Sequence, residues 1–190
     1  IQPLPTVSVA VSPTTICANS SATFTFTGTP NATVTYNING GANQTVALNA
    51  GGTATITGTY TSDTTINIVS VASAGTPSCV NPQPSSITLT VLPLPTASVS
   101  VTPTTVCSGD SATFTFTGTP NATVTYNING GANQTIVLSG AGTATLTGTY
   151  TANTTVNIVS VASSGTPSCV NPQTSSITLT VLPLPTASVA

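Results

Sequence analysis

Ser21-Ala22-Thr23-Phe24-Thr25-Phe26-Thr27-Gly28-Thr29-Pro30-Asn31-Ala32-Thr33-Val34-Thr35-Tyr36-Asn37-Ile38-Asn39-Gly40-Gly41 alternates apolar and polar residues, breaks at a turn, and alternates again. Strand side chains point to opposite faces with period two, so Ala22, Phe24 and Phe26, then Val34, Tyr36 and Ile38, read as inward-facing. The threonines between them face out, where β-branched residues suit a pleated surface. Gly28 to Asn31 reads as a turn. Asn39-Gly40-Gly41 is a hairpin signal, because Asn and Gly tolerate positive φ. The whole stretch returns unchanged as Ser111 to Gly131, a period of 90 residues.

The flanking sequence follows the same rule. Val7, Val9 and Val11 share one face of a first strand, and Pro13 interrupts it. Ala54, Ile56 and Tyr60 share a face of another. The run from Thr65 to Ser73 is apolar at Ile66 and Ile68, then at Val69 and Val71, a phase slip that predicts a bulge or a change of sheet. Ile87, Leu89 and Val91 mark the last strand. About seven short strands with turn signals between them, and no helical period, predict an all-β fold: tandem immunoglobulin-like antiparallel β-sandwiches. The buried Trp of antibody domains is absent, so the likeness is one of architecture.

Repetition sets the domain plan. Residues 1–92 form repeat 1 and residues 93–182 form repeat 2. Residues 183–190 begin a third copy, because Val181 to Val189 restates Val91 to Val99. The chain thus reads as a window on a longer mature polypeptide. Between repeats runs Val91-Leu92-Pro93-Leu94-Pro95-Thr96, whose two prolines fix φ and favour an extended link. The expectation is a stiff rod in which each repeat advances roughly 40 Å.

The chain has 190 residues, no Lys, Arg or His, two acidic residues and a formal charge of −2. Without cations it offers nothing to bind phosphate, so a nucleic-acid partner is excluded, as is attraction to anionic lipid. No apolar run approaches the roughly 20 residues of a membrane-spanning helix. Four cysteines, Cys17, Cys79, Cys107 and Cys169, lie in no C-x-x-C cluster and have no His beside them, so a zinc site is not indicated. Three disulfide connectivities are open. The repeat favours one bridge inside each copy, Cys17–Cys79 and Cys107–Cys169, pinning one end of the sandwich. A bridge closing so long a loop stabilises by ~4 kcal/mol in the chain-entropy picture. Disulfides imply an oxidising compartment: outside the cell, or in a periplasm or secretory lumen.

Pro103-Thr104-Thr105-Val106-Cys107-Ser108-Gly109-Asp110-Ser111-Ala112-Thr113-Phe114-Thr115-Phe116, Tyr126-Asn127-Ile128-Asn129-Gly130-Gly131-Ala132-Asn133-Gln134-Thr135 and Asn157-Ile158-Val159-Ser160-Val161 carry a resemblance. They resemble the tandem immunoglobulin-like or PKD-like repeats of giant cell-surface proteins in Bacteroidota, including gliding-motility adhesins exported by the type 9 system. The resemblance spans both repeats and implies a surface stalk or filament with adhesive function. The family usually carries some Lys and Asp, which this chain largely lacks. The resemblance also implies O-glycosylation at Asp-(Ser/Thr) motifs, here Thr64 after Asp63 and Ser111 after Asp110. The sibling positions, Asn153 and Ser20, lose the acidic residue. N-x-(Ser/Thr) sequons occur at Asn19, Asn31, Asn43, Asn121, Asn133 and Asn153, and matter in a host that glycosylates Asn.

Catalysis is not indicated: two carboxylates at non-equivalent positions make no acid–base pair, and no cofactor or metal site is implied. Outward Thr rows (Thr23, Thr25, Thr27; Thr53, Thr55, Thr57, Thr59) raise an ice- or carbohydrate-binding alternative. Sheet twist opposes the flat lattice that ice would require. The leading expectation is a structural module in the shaft of an extracellular adhesin, its partners being the neighbouring repeats and any covalent glycans. The rival is a filament of identical chains joined by strand donation; in the variant where adjacent repeats of one chain donate, the strand from Thr96 to Val101 would complete the preceding sandwich.

Overall fold

In a computed structural model, residues 3–187 are described. The chain divides into two compact units at Pro93/Leu94, and each is an all-β sandwich with no helix among the described residues. Residues 188–190, within the segment assigned to a third copy, lie outside the described residues.

The first unit contains β1 (Val7–Ser12), β2 (Thr15–Cys17), β3 (Ser20–Gly28), β4 (Thr33–Ile38), β5 (Gln44–Ala47), β6 (Thr53–Tyr60), β7 (Thr64–Ala72) and β8 (Val80–Leu92). One sheet is ordered β1-β3-β6 and the other β2-β8-β7-β4-β5. All pairs are antiparallel except β2 with β8, which run parallel through Thr15↔Thr90, Ile16↔Val91 and Cys17↔Leu92. Eight strands thus replace the expected seven. The chain leaves the first sheet at Pro13 and joins the second for three residues before returning.

The second unit repeats the plan with β9 (Ala97–Thr102), β10 (Thr105–Cys107), β11 (Ser111–Gly118), β12 (Thr123–Ile128), β13 (Gln134–Val137), β14 (Thr143–Thr149), β15 (Thr154–Ala162), β16 (Val170–Pro172) and β17 (Ser176–Leu182). Here the last strand is two pieces, both paired to β15. The strand considered for donation stays at home, because Ala97–Thr102 pairs with β11 of its own unit.

The alternation fills the space between the sheets. Phe24, Phe26, Val34, Val71 and Leu89 are fully buried, and Ile66 and Ile68 nearly so, with Phe114, Phe116, Val124, Val156, Val161 and Leu179 fully buried in the second unit. Tyr60 packs edge-on against Phe24, with ring centroids 5.8 Å apart. The phase slip is a bulge: the partner register steps from Ser70 to Ile68 on both sides of β7, leaving Val69 unpaired and 37% exposed. The hairpin forms where Asn-Gly occurs, with φ of 52° at Asn39 and 73° at Gly40.

Each unit has an N-terminal and a C-terminal pole. At the first, Asn81 Nδ2 donates to the Pro5 carbonyl at 2.8 Å, and Val7 N–H donates to Gln83 Oε1 at 2.8 Å. At the second, Ala18 N–H donates to the Leu92 carbonyl at 2.8 Å. β8, 13 residues long, joins one to the other.

Gly28 sits at the N-terminal pole, where a Cβ would overlap the Thr6 carbonyl, and Gly118 repeats this against Thr96. Gly28→Ala is therefore expected to destabilise the first repeat by about 1–3 kcal/mol through overpacking. Urea unfolding followed by tyrosine fluorescence checks this: an unshifted midpoint refutes the steric account.

Candidate functional site: poles, hydroxyl face and cysteines

The outer face of the three-stranded sheet carries rows of hydroxyls. Ser8, Thr27 and Thr53 are in register, as are Ser12, Thr23 and Thr57, with Ala10, Thr25 and Thr55 between them. Thr23 and Thr57 bond to each other at 2.8 Å, as do Thr113 and Thr147 in the second unit. The other sheet shows the same device at Thr65 and Thr88, 2.8 Å apart. These hydroxyls satisfy one another across strands and leave a neutral surface.

Asp63 stands at the C-terminal pole, where Oδ1 accepts from Val91 N–H at 2.7 Å. Asn153 fills the same role for Val181, also at 2.7 Å. The aspartate is therefore an acceptor for the last strand, and an amide oxygen serves equally. Thr64, the residue after it, is buried to 7% exposure, and its hydroxyl donates to the Ser62 carbonyl at 3.1 Å. A glycan on Thr64 would have to displace that bond and emerge from a closed site, so Thr64 is not a site for sugar on the folded chain. Ser111 is exposed on β11, on the hydroxyl face opposite Thr149.

All six sequon asparagines are exposed. Three have structural work in their backbones: Asn19, Asn31 and Asn121 hold positive φ of 67°, 58° and 59°. Asn43 Oδ1 accepts from Asn37 Nδ2 at 3.5 Å, and Asn133 lies in the matching turn of the second unit. Asn153 is occupied by the contact to Val181.

The cysteines do not meet within a repeat. Cys17 ends β2 beside Leu92, at the C-terminal pole. Cys79 lies at the N-terminal pole, where its N–H donates to Ser73 Oγ at 2.9 Å and its carbonyl accepts from Ser73 N–H at 2.9 Å. Cys107 and Cys169 repeat the two positions, Cys107 beside Leu182 and Cys169 on Ser163. The length of β8 separates the two poles, roughly 40 Å at ~3.3 Å per residue, whereas a disulfide requires Cα atoms about 4.4–6.8 Å apart. The expected bridges Cys17–Cys79 and Cys107–Cys169 therefore do not fit the fold. Cys17 and Cys169 are each disulfide-bonded, and Cys107 is an exposed thiol. Spacing could not reveal this, because a separation of 62 residues does not say which end of a strand each residue occupies.

Among the described residues, no three His, Cys, Asp or Glu side chains gather as metal ligands. A shallow concavity of about 270 Å³ is lined by Asn67, Ile68, Pro84, Ser85 and Ser86, none of which titrates. Burial raises the pKa of Tyr60 above its ordinary value, with a smaller contribution from Tyr36. Tyr150 follows in the same way, with Tyr126.

No family model and no curated protein matches the chain. Solved structures are similar in fold. A Ca2+-stabilized adhesin that helps an Antarctic bacterium reach out and bind ice is 20% identical, with a TM-score of 0.53 over 97% of this chain and 51% of that one. A 1.5-MDa bacterial ice-binding adhesin is 18% identical, with a TM-score of 0.46, over 95% and 66%. A C-terminal fragment of intimin, solved with its translocated receptor, is also 18% identical at 0.46, over 92% and 64%. The chain spans about half the length of the first of these. At such identities the likeness concerns the fold: an immunoglobulin-like β-sandwich.

Two predictions follow from the geometry at Asp63 and the tyrosines. Asp63→Asn should leave the first repeat's unfolding midpoint nearly unchanged, because Asn153 does the same work. Asp63→Ala should cost about 0.5–1.5 kcal/mol through the lost bond to Val91. Equal effects of the two variants in urea would show that charge, not the acceptor, matters. A tyrosine pKa raised by folding favours the protonated native state. Its contribution is intact below the ordinary value of about 10 and is lost as pH rises through the folded value. Stability should therefore fall above pH ~10, and less so in a Tyr60→Phe/Tyr150→Phe variant, read by alkaline urea titrations.

Proposed function

We propose that these repeats are shaft modules of an extracellular surface adhesin, of the kind built in giant Bacteroidota surface proteins. One observation carries the reading. In each unit the chain arrives at one pole and leaves at the other, the full length of β8 away, so adding repeats adds length. The near-identity of the repeats supports it, since reach needs copies whereas a catalytic site needs one. The paired hydroxyls give a surface that stays hydrated without charge, and Ser111, exposed on it, is the residue the O-glycosylation reading assigns to a sugar. The absence of Lys and Arg leaves no sites for trypsin-type proteases, which suits a fibre exposed outside the cell. The Ca2+-stabilized adhesin is named for a metal that this chain has no acidic cluster to bind. Here the Leu92-to-Thr96 link supplies the stiffness through Pro93 and Pro95.

Small-angle scattering of the 190-residue chain tests the shaft. Two repeats advancing roughly 40 Å each give a radius of gyration of about 25 Å, against about 16 Å for a compact globule of this length. A value near the lower figure overturns the shaft reading. Antibody labelling of intact cells tests the location: signal only after permeabilisation overturns the extracellular assignment.

A further inference from the structure

Glycine follows asparagine at two places in the chain, Asn39-Gly40 and Asn129-Gly130. With no Cβ on the second residue, such a pair is the least hindered for attack of the backbone nitrogen on the asparagine side-chain amide. The fold holds each pair in a geometry that closes this attack. φ is 52° at Asn39 and 73° at Gly40, and Gly41 N–H donates to the Ile38 carbonyl at 2.9 Å, which makes a type I′ turn. ψ at the first central residue of such a turn is about +30°. Ring closure needs the glycine nitrogen eclipsed with Cβ about the Cα–C bond, and this ψ carries it to nearly the opposite side. Two hydrogen bonds fix the arrangement. Gly40 N–H donates to Asn37 Oδ1 at 3.1 Å, and Asn39 Oδ1 accepts from Thr65 N–H at 2.7 Å. In the second unit Gly130 N–H donates to Asn127 Oδ1 at 3.2 Å, and Asn129 Oδ1 accepts from Thr155 N–H at 2.7 Å. Both asparagines are exposed, so conformation and not access withholds the reaction.

We propose that Asn39 and Asn129 are modification sites gated by folding: closed in the native repeat, and open to deamidation once the hairpin is lost. In the opened chain, hydroxide removes the Gly40 amide proton and the nitrogen bonds to Asn39 Cγ. The Cγ–Nδ2 bond breaks, and ammonia leaves with a proton taken from water, which restores the hydroxide. The product is a succinimide, and water opens it at either carbonyl. Opening at Cγ gives Asp. Opening at the original backbone carbonyl gives isoaspartate, whose main chain passes through Cγ and is one atom longer. The two products differ in fate. Asp keeps an oxygen for Thr65 N–H, an exchange the fold already accepts between Asp63 and Asn153. Isoaspartate lengthens the turn and cannot close the same two-residue hairpin. Each event also adds one negative charge to a chain whose formal charge is −2. A repeat that has opened is thus marked, and part of the opened population is withdrawn from refolding. The inference concerns one hairpin inside each unit and stands whether or not the chain belongs to an adhesin.

The test holds the 190-residue chain in mildly alkaline buffer at physiological temperature, with and without denaturing urea, and maps it by mass after digestion with a broad-specificity protease. The two hairpin peptides are told apart by Val46 against Ile136. Conversion is read as replacement of NH by O in the peptide mass, and as an acidic shift of the intact chain on isoelectric focusing. Both sites should convert in urea, and at least ~100-fold more slowly in native buffer, where conversion waits on the open population. Similar rates in the two conditions, or asparagines that stay intact in urea, overturn the gate. This comparison uses the unaltered chain, so it decides the proposal even where a variant does not fold. Asn37→Ala removes the acceptor of Gly40 N–H in the first unit alone and leaves the second as an internal standard. In native buffer Asn39 of that variant should convert roughly 2–10-fold faster than Asn129. Asn37→Asp keeps the acceptor and should bring the two rates back together. Equal rates in Asn37→Ala, or an Asn37→Asp chain as fast as Asn37→Ala, overturn the role given to that hydrogen bond.

Discussion

Burial of the two phenylalanines of the second long strand is the contact on which each repeat depends. Phe24 and Phe26, repeated as Phe114 and Phe116, are wholly enclosed between the sheets, and every other core residue is arranged around them. Truncating one such ring typically costs about 3–5 kcal/mol. A domain of this size has only about 5–13 kcal/mol in total. A single ring is therefore a large share of the whole, and nothing electrostatic offsets its loss, because the chain has two charged side chains in 190 residues.

The absence of charge moves the task of fixing strand ends onto neutral acceptors. Asn39 Oδ1 takes the Thr65 N–H at 2.7 Å, joining the hairpin to the start of β7. Asn37 Oδ1 takes both Gly40 N–H at 3.1 Å and Asn67 Nδ2 at 2.9 Å. Asn49 Oδ1 closes the next turn by accepting from Gly51 at 2.8 Å and Thr53 at 3.0 Å. An N–H left without an acceptor costs more than a bond contributes, so these asparagines hold the turns and strand ends in place. The abundance of Asn and Thr is what a β-sandwich requires when it has no salt bridges to make.

The alternation in Ser21 to Thr27 and the Asn-Gly dipeptide were legible because each is a local rule: period two sets the face, and positive φ sets the turn. The bulge at Val69 was legible for the same reason, as two apolar phases in one strand need an extra residue between them. β2 was not legible. Three residues carry no period, and only the fold shows that the chain changes sheet at Pro13. The cysteines were misread on related grounds. Repetition says that the pair recurs, but not which pole each residue occupies, a property of β8 and not of the spacing. Thr64 failed as a sugar site likewise: its motif lies in sequence, its burial in the sandwich.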